Sequence, residues 1–259
     1  MRMMKKVLGV VTVLALSVSL LAGCGSTAAS PVSSAASTAA ESTTSSVVSE
    51  ATSAAADENA AAAAQLLNDL TGSYQELWPV ILADEYKQTW LDDCTALVGE
   101  DNAEAAFEKL SSMVTGDVYG EDAVKAYANG GGAYFCGFTN DLATLTFDGG
   151  TSTISGTDKD GNELFSHPYH YIGMEPVRGL YEFESDDADS GEFTYFFLAP
   201  DTSAETYHIE FRYGSDADAL SQYDAGDYAY WLASGISTDC DQTMIDNCIE
   251  LFCTENLAG

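Results

Sequence analysis

The segments FTYFFLAP (residues 193–200) and ETYHIEFRYG (residues 205–214) decide the fold class of this chain. Both are rich in aromatic and β-branched residues, which favour β-strands. In the second segment apolar and polar side chains alternate, which is typical of a strand with one buried face. We therefore predict paired antiparallel strands in this part of the chain.

The rest of the chain divides into a helical part and a strand-rich part at the glycine run 130–132. Apolar residues recur at helical spacing through residues 57–127, and again in residues 238–257. Alternating patterns between turn residues predict strands at 134–138, 142–147, 151–155, 164–172, 178–184, 192–198 and 206–213. This order predicts an α+β fold built on an antiparallel barrel or meander.

The N-terminus has the pattern of a bacterial lipoprotein signal peptide, which we assign to residues 1–23. Three basic residues precede an apolar run at 7–22, and Leu-Ala-Gly-Cys follows at 21–24. Cleavage before Cys24 would leave a diacylated cysteine, which predicts a lipid anchor on the outer face of the bacterial cytoplasmic membrane. The alternative is a chance cysteine after an ordinary signal peptide.

Residues 24–64 consist mainly of Ser, Thr and Ala and predict a disordered linker after the lipidated Cys24. Such a tract has too little apolar surface to offset its conformational entropy. The remaining residues, 65–259, are enough for one domain with a substantial core.

The chain is strongly acidic, with 41 Asp and Glu against 9 Lys and Arg and a formal net charge of −32. An anionic polymer would repel it, so we expect no nucleic-acid partner. The same field attracts divalent cations, although acidity also serves simply to keep an exported protein soluble.

Besides Cys24, the chain contains five cysteines, at positions 94, 136, 240, 248 and 253. No Cys-x-x-Cys pair occurs, which argues against a thiolate zinc knuckle. Buried thiols, or one or two disulfides, remain as alternatives, and the sequence does not assign their pairing.

Five segments occur in the same order as in the ZinT (YodA-like) family of extracytoplasmic zinc-binding proteins and resemble them. They are LTGSYQEL (70–77), HYIG (170–173), RGLYEFE (178–184), DADSGEF (187–193) and the strand pair quoted above. The resemblance covers most of residues 65–259. It implies a lipocalin-like (calycin) β-barrel with the helical N-terminal portion packed against it, and zinc capture outside the cytoplasm with a zinc-uptake transporter as partner.

The resemblance also implies a metal site, which this chain retains only in part. In the family, one strand carries a histidine and the next a His-x-His pair, and together they bind Zn²⁺. The corresponding positions here are Phe196, Thr206 and His208, so only His208 supplies a ligand. His170 and Glu210 are candidates to complete a remodelled site, since Glu210 lies two residues from His208 on the same strand face. His208 as a histidine without a metal role stays open.

The alternative function is a binding module for a small organic ligand or a partner protein, without metal. It would use aromatic residues of the barrel, which would equally form an ordinary packed core: Tyr169, Tyr171, Tyr181, Phe183, Tyr195, Phe197 and Tyr207. The sequence contains no Gly-x-Ser-x-Gly elbow, His-Glu-x-x-His motif or phosphate-binding loop, so we expect no enzymatic activity.

Overall fold

Eight strands close into an antiparallel barrel within residues 58–199 and 208–258, which the computed structural model describes. They are β1 (Gly72–Glu76), β2 (Thr144–Asp148), β3 (Thr153–Thr157), β4 (Glu163–Met174), β5 (Tyr181–Ser185), β6 (Tyr195–Leu198), β7 (His208–Gly214) and β8 (Ala233–Ser237). Each strand pairs with the next, and β1 closes the ring by pairing with β8. The predicted α+β fold with a lipocalin-like barrel is confirmed.

Helices surround this barrel. They are α1 (residues 58–69), α2 (Leu77–Ile81), α3 (Lys87–Val98), α4 (Glu100–Val114), α5 (Glu121–Ala128), α6 (Ala217–Leu220) and α7 (Gln242–Leu257). Short 3₁₀ turns precede α3 and β6, at Asp84–Tyr86 and Gly191–Phe193. Among the described residues, no helix has the length and apolar character needed to cross a membrane.

Three parts of the strand and helix prediction differ from the structure. β1 lies inside the segment predicted to be helical, and β8 was not predicted. The predicted strand 134–138 forms only isolated bridges, from Phe135 to Thr115 and to Trp231. β1 and β8 pair with each other across more than half of the chain, so no local pattern of five residues reveals them.

The predicted linker extends too far into the domain. Residues 58–64 belong to α1, and Ala63 is fully buried in the core together with Leu66, Leu67 and Leu70. The poly-alanine run is a good helix former, and Leu residues of the same helix anchor it to the barrel. The signal peptide (1–23), Cys24 and the linker up to residue 57 lie outside the described residues.

Aromatic side chains fill the interior of the barrel. Phe196 of β6 is opposite Tyr213 of β7, and their ring centroids are 5.4 Å apart. Phe196 also contacts Tyr169 at 5.4 Å and Phe165 at 5.8 Å. The Tyr213 hydroxyl accepts a hydrogen bond from the Thr139 backbone N–H at 2.6 Å, which satisfies its buried oxygen.

A second apolar layer lies between the outside of the barrel and the helices. It contains Leu77, Trp78 and Ile81 of α2, Trp90 of α3, Leu110 of α4, Ile236 of β8, and Ile245 and Ile249 of α7. The Trp90 indole N–H donates to the Ile81 carbonyl at 2.7 Å, linking α3 to the end of α2. This layer holds α7 against the barrel wall.

Truncating Phe196 tests the packed interior. Phe196→Ala removes a fully buried ring and leaves a cavity, so we expect a loss of about 3–5 kcal/mol in the free energy of unfolding. Urea denaturation measures it. Ile172→Ala, at a side chain 40% exposed on the outside of β4, is the control and should cost less than about 1 kcal/mol. Equal losses would contradict the packed interior.

Candidate functional site

Strand β7 separates apolar from polar side chains on its two faces. Ile209, Phe211 and Tyr213 belong to the interior core of the barrel. Because successive strand residues point to opposite faces, His208, Glu210 and Arg212 lie on the outside. The candidate ligands of β7 therefore face the helices and not the barrel interior.

This alternation separates two positions that the resemblance assigns to one site. Phe196 is paired with Tyr213, and both side chains point inward. Tyr213 is five positions after His208 on β7, an odd number, so these two side chains point to opposite faces of the strand. Phe196 and His208 thus lie on opposite sides of the barrel wall and do not face a common ion. Thr206 lies outside the described residues.

His208 and Glu210 line a small cavity between β7 and two helices. Its other walls are Leu77, Trp78 and Ile81 of α2, and Cys248, Leu251, Phe252 and Glu255 of α7. Its volume is about 40 Å³. A water molecule needs about 10–15 Å³ measured in this way, so the cavity suits an ion with a water or two. Organic ligands occupy about 300 Å³ or more.

Helix α7 reaches this cavity through a cap and an apolar face. The Asp241 carboxylate accepts a hydrogen bond from the Met244 N–H at 3.0 Å, which starts the helix. Phe252 packs edge-on against Trp78, with ring centroids 4.7 Å apart. Cys248, Phe252 and Glu255 follow at helical spacing, so they form one stripe along the cavity wall.

Burial favours the neutral form of two thiols in this region, Cys248 of the cavity wall and Cys136 of the apolar layer beside it. Burial raises the pKa of Cys248 to about 12. Burial, with the nearby Glu210 carboxylate as a smaller cause, also raises the pKa of Cys136 to about 12. A neutral thiol is a poor metal ligand, because the thiolate is the form that binds. The imidazole of His208 and the carboxylates of Glu210 and Glu255 are the nitrogen and oxygen donors that line the cavity.

The other two histidines pair with carboxylates away from this cavity. His167 Nδ1 is 2.8 Å from Asp187 Oδ2, and His170 Nδ1 is 2.7 Å from Asp186 Oδ1. His170 lies on β4, and β5 and β6 separate that strand from β7. At about 4.8 Å per strand, the path along the wall is about 14 Å. The structure therefore does not bring His170 to His208.

Among the described residues, no three His, Cys, Asp or Glu side chains are already grouped closely enough to hold a metal ion. The three-ligand zinc site implied by the resemblance does not fit, since Phe196 points inward. The cavity beside His208 brings one imidazole and two carboxylates to common walls, but these side chains must move toward each other to share an ion.

Glu255 was not predicted as a site residue, although two sequence patterns taken together indicate its position. The apolar residues of β7 alternate with His208 and Glu210, which already places both polar side chains outside the barrel. On the predicted C-terminal helix, residues 248, 251, 252 and 255 share one face. No local sequence pattern shows that this face of α7 packs over β7.

A second, larger cleft adjoins the first, and Trp78 lines both. Its volume is about 290 Å³, and its walls include Phe135, Cys136 and the carboxylates of Glu76 and Asp117. Glu76 Oε1 accepts a hydrogen bond from the Phe138 N–H at 2.6 Å, which fixes that side chain. The cleft lies outside the barrel. Of the predicted ligand-lining residues, Tyr169 and Phe183 are buried in the barrel core. Phe197 is also buried, but it pairs with Arg212 and so lies on the outer face of the wall.

Comparison with known proteins finds similarity among solved structures only. No protein-family model matches the chain, and no curated protein matches it. Among solved structures it is similar to the Zn(II)-bound ZinT-like domain of Streptococcus pneumoniae AdcA, at 15% identity and a TM-score of 0.45, covering 71% of this chain and 89% of that one.

The chain is also similar to Zn(II)-bound AdcA from the same organism, at 13% identity and a TM-score of 0.44. The match covers 72% of this chain and 35% of AdcA, so this chain spans about a third of the length of that protein. Likeness at this level gives no residue correspondence, and the site rests on its own geometry.

Alkylation of the reduced, folded protein tests the burial of the cavity thiols. Cys240 is partly exposed at the start of the α7 segment, whereas Cys248 is buried in the same segment and protonated. At pH 8 we expect iodoacetamide to modify Cys248 at least about tenfold more slowly than Cys240, because alkylation requires an accessible thiolate. Peptide mass spectrometry measures both rates. In denaturant the difference should disappear, and equal rates in the folded protein would contradict the described cavity wall.

Proposed function

We propose that this chain is a lipid-anchored, extracytoplasmic binding protein of ZinT-like fold that binds Zn²⁺ between β7 and α7. The ligands are His208, Glu210 and Glu255. One observation carries the proposal: an imidazole and two carboxylates from two packed elements line the same ion-sized cavity. The assigned role is binding, not catalysis.

The donor set indicates the kind of metal. Imidazole nitrogen favours Zn²⁺ and its transition-metal neighbours over Mg²⁺ and Ca²⁺, which prefer oxygen ligands alone. Three protein ligands with one open position is a common zinc arrangement. Because the three side chains must converge on binding, part of the binding free energy is used to order them, and we expect micromolar affinity.

The location and partners extend the same proposal. The N-terminal pattern ending at Cys24 supports attachment to the outer face of the bacterial cytoplasmic membrane. A net charge of −32 raises the local concentration of cations and disfavours nucleic acid. A weak, solvent-reachable site on a tethered domain suits delivery to a zinc-uptake transporter.

A small organic ligand is the second candidate, and the cleft of about 290 Å³ favours it. The aromatic faces of Trp78 and Phe135 and the carboxylates of Glu76 and Asp117 suit a ligand with a cationic amine. Such a ligand would raise the melting temperature without any metal requirement.

Calorimetric titration with zinc tests the metal site. In 0.15 M salt with excess Mg²⁺, which screens the acidic surface, residues 25–259 should bind one Zn²⁺ with micromolar affinity. His208→Ala should lower that affinity at least about tenfold, and Glu255→Gln about three- to tenfold, because each removes a ligand.

His170→Ala is the matched control for this titration. It removes an exposed histidine that pairs with Asp186 outside the cavity, so the zinc affinity should not change. Absence of binding up to about 100 μM zinc would contradict the metal function. An equal loss in His170→Ala and His208→Ala would place the metal elsewhere.

A further inference from the structure

The cysteines of the described residues share one layer of the molecule. Cys94, Cys136, Cys248 and Cys253 are buried in the apolar layer between barrel and helices, and Cys240 packs against it. None of the five is in a disulfide in this structure. Because all five lie in or against one layer, the distances between their sulfur atoms indicate which two could form a disulfide bond.

Two of these thiols are in direct contact. Cys94 of α3 and Cys253 of α7 are both fully buried, and their Sγ atoms are 3.9 Å apart. A disulfide requires an S–S distance of about 2.05 Å. Bond formation therefore requires the two sulfur atoms to approach by about 1.9 Å, and rotation about a Cα–Cβ bond moves a sulfur atom on this scale.

We propose that Cys94 and Cys253 form a disulfide bond in the exported protein and thereby fasten the C-terminal helix to α3. The proposal depends on the extracytoplasmic location, which is part of the proposed function, and not on metal binding. Export favours the bond because reduced thiols persist mainly in the cytosol.

The redox step balances with a disulfide donor of the thiol–disulfide oxidoreductase or oxidised glutathione class. One thiolate attacks the donor, one donor sulfur leaves as a thiol, and the second cysteine displaces the other from the mixed disulfide. The two cysteines lose two protons and two electrons, and the donor disulfide becomes two thiols.

Burial decides when this exchange occurs. Cys94 and Cys253 are both fully buried in the folded protein, so a disulfide donor cannot reach either sulfur atom. The bond should therefore form during folding, before α7 covers the pair. Added oxidant should act slowly on the folded, reduced protein and quickly during refolding.

The bond would brace the cavity wall. Cys253 is two residues from Glu255 and one from Phe252, so fixing it holds this end of α7 over His208. The loop closed by the bond spans 159 residues, which is the regime in which a cross-link restricts the unfolded chain most.

Non-reducing peptide mapping tests the pairing directly. The full chain is purified from an exporting bacterium without reductant, its free thiols are blocked with N-ethylmaleimide in denaturant, and it is digested for mass spectrometry. We expect a peptide containing Cys94 linked to one containing Cys253, with Cys136, Cys240 and Cys248 alkylated. Five alkylated thiols, or a different linked pair, would overturn the proposal.

Thermal unfolding gives an independent measurement. Reductant should lower the melting temperature of the oxidised chain by about 5–15 °C. The Cys94→Ala/Cys253→Ala variant should not respond to reductant, while Cys248→Ala should respond like the parent chain. An unchanged melting temperature in the reduced parent chain would overturn the stabilising role. Zinc titration is a separate readout, so failure of the metal site leaves this result interpretable.

Discussion

Closure of the barrel through pairing of β1 with β8 determines which side chains of each strand point inward. In a closed ring, the register of every strand is set by both neighbours, and a shift of one residue would turn its whole apolar set outward. For β7, this places Phe211 and Tyr213 in the aromatic interior and His208 and Glu210 outside. The barrel wall thus separates a largely aromatic core from an outer layer that contains the polar side chains of β7.

The apolar layer outside the barrel forms the walls around His208 and Glu210. Trp78 contacts Phe252 of α7 and contributes to the walls of both cavities. The stripe of α7 that carries Phe252 also carries Glu255, so the same packing that stabilises the helix brings a second carboxylate toward His208. Cys94 and Cys253 lie in the same layer, and their contact joins α3 to that helix. The stability of the domain and the proposed binding of metal therefore both depend on how firmly α7 is held.

Elements with a strong local period could be predicted from the sequence. The strands corresponding to β6 and β7 and the C-terminal helix were found, because alternation and helical spacing are properties of a few neighbouring residues. β1 and β8 were missed, since Gly72–Glu76 and Ala233–Ser237 become strands by pairing with each other. Of the three proposed ligands, His208 and Glu210 were already candidates in the sequence, but the resemblance grouped His208 with Phe196, which lies on the other side of the barrel wall. Glu255 could not be predicted as a ligand, because the sequence does not show which helix covers β7.

The central claim is that the metal lies outside the barrel wall, between β7 and α7. Anomalous scattering at the zinc absorption edge, from crystals of the zinc-loaded protein, tests it most directly. The account predicts a single strong peak about 2.0–2.2 Å from a ring nitrogen of His208 and from carboxylate oxygens of Glu210 and Glu255. A peak beside His170 and Asp186, a peak inside the barrel near Phe196, or no peak at saturating zinc would contradict it.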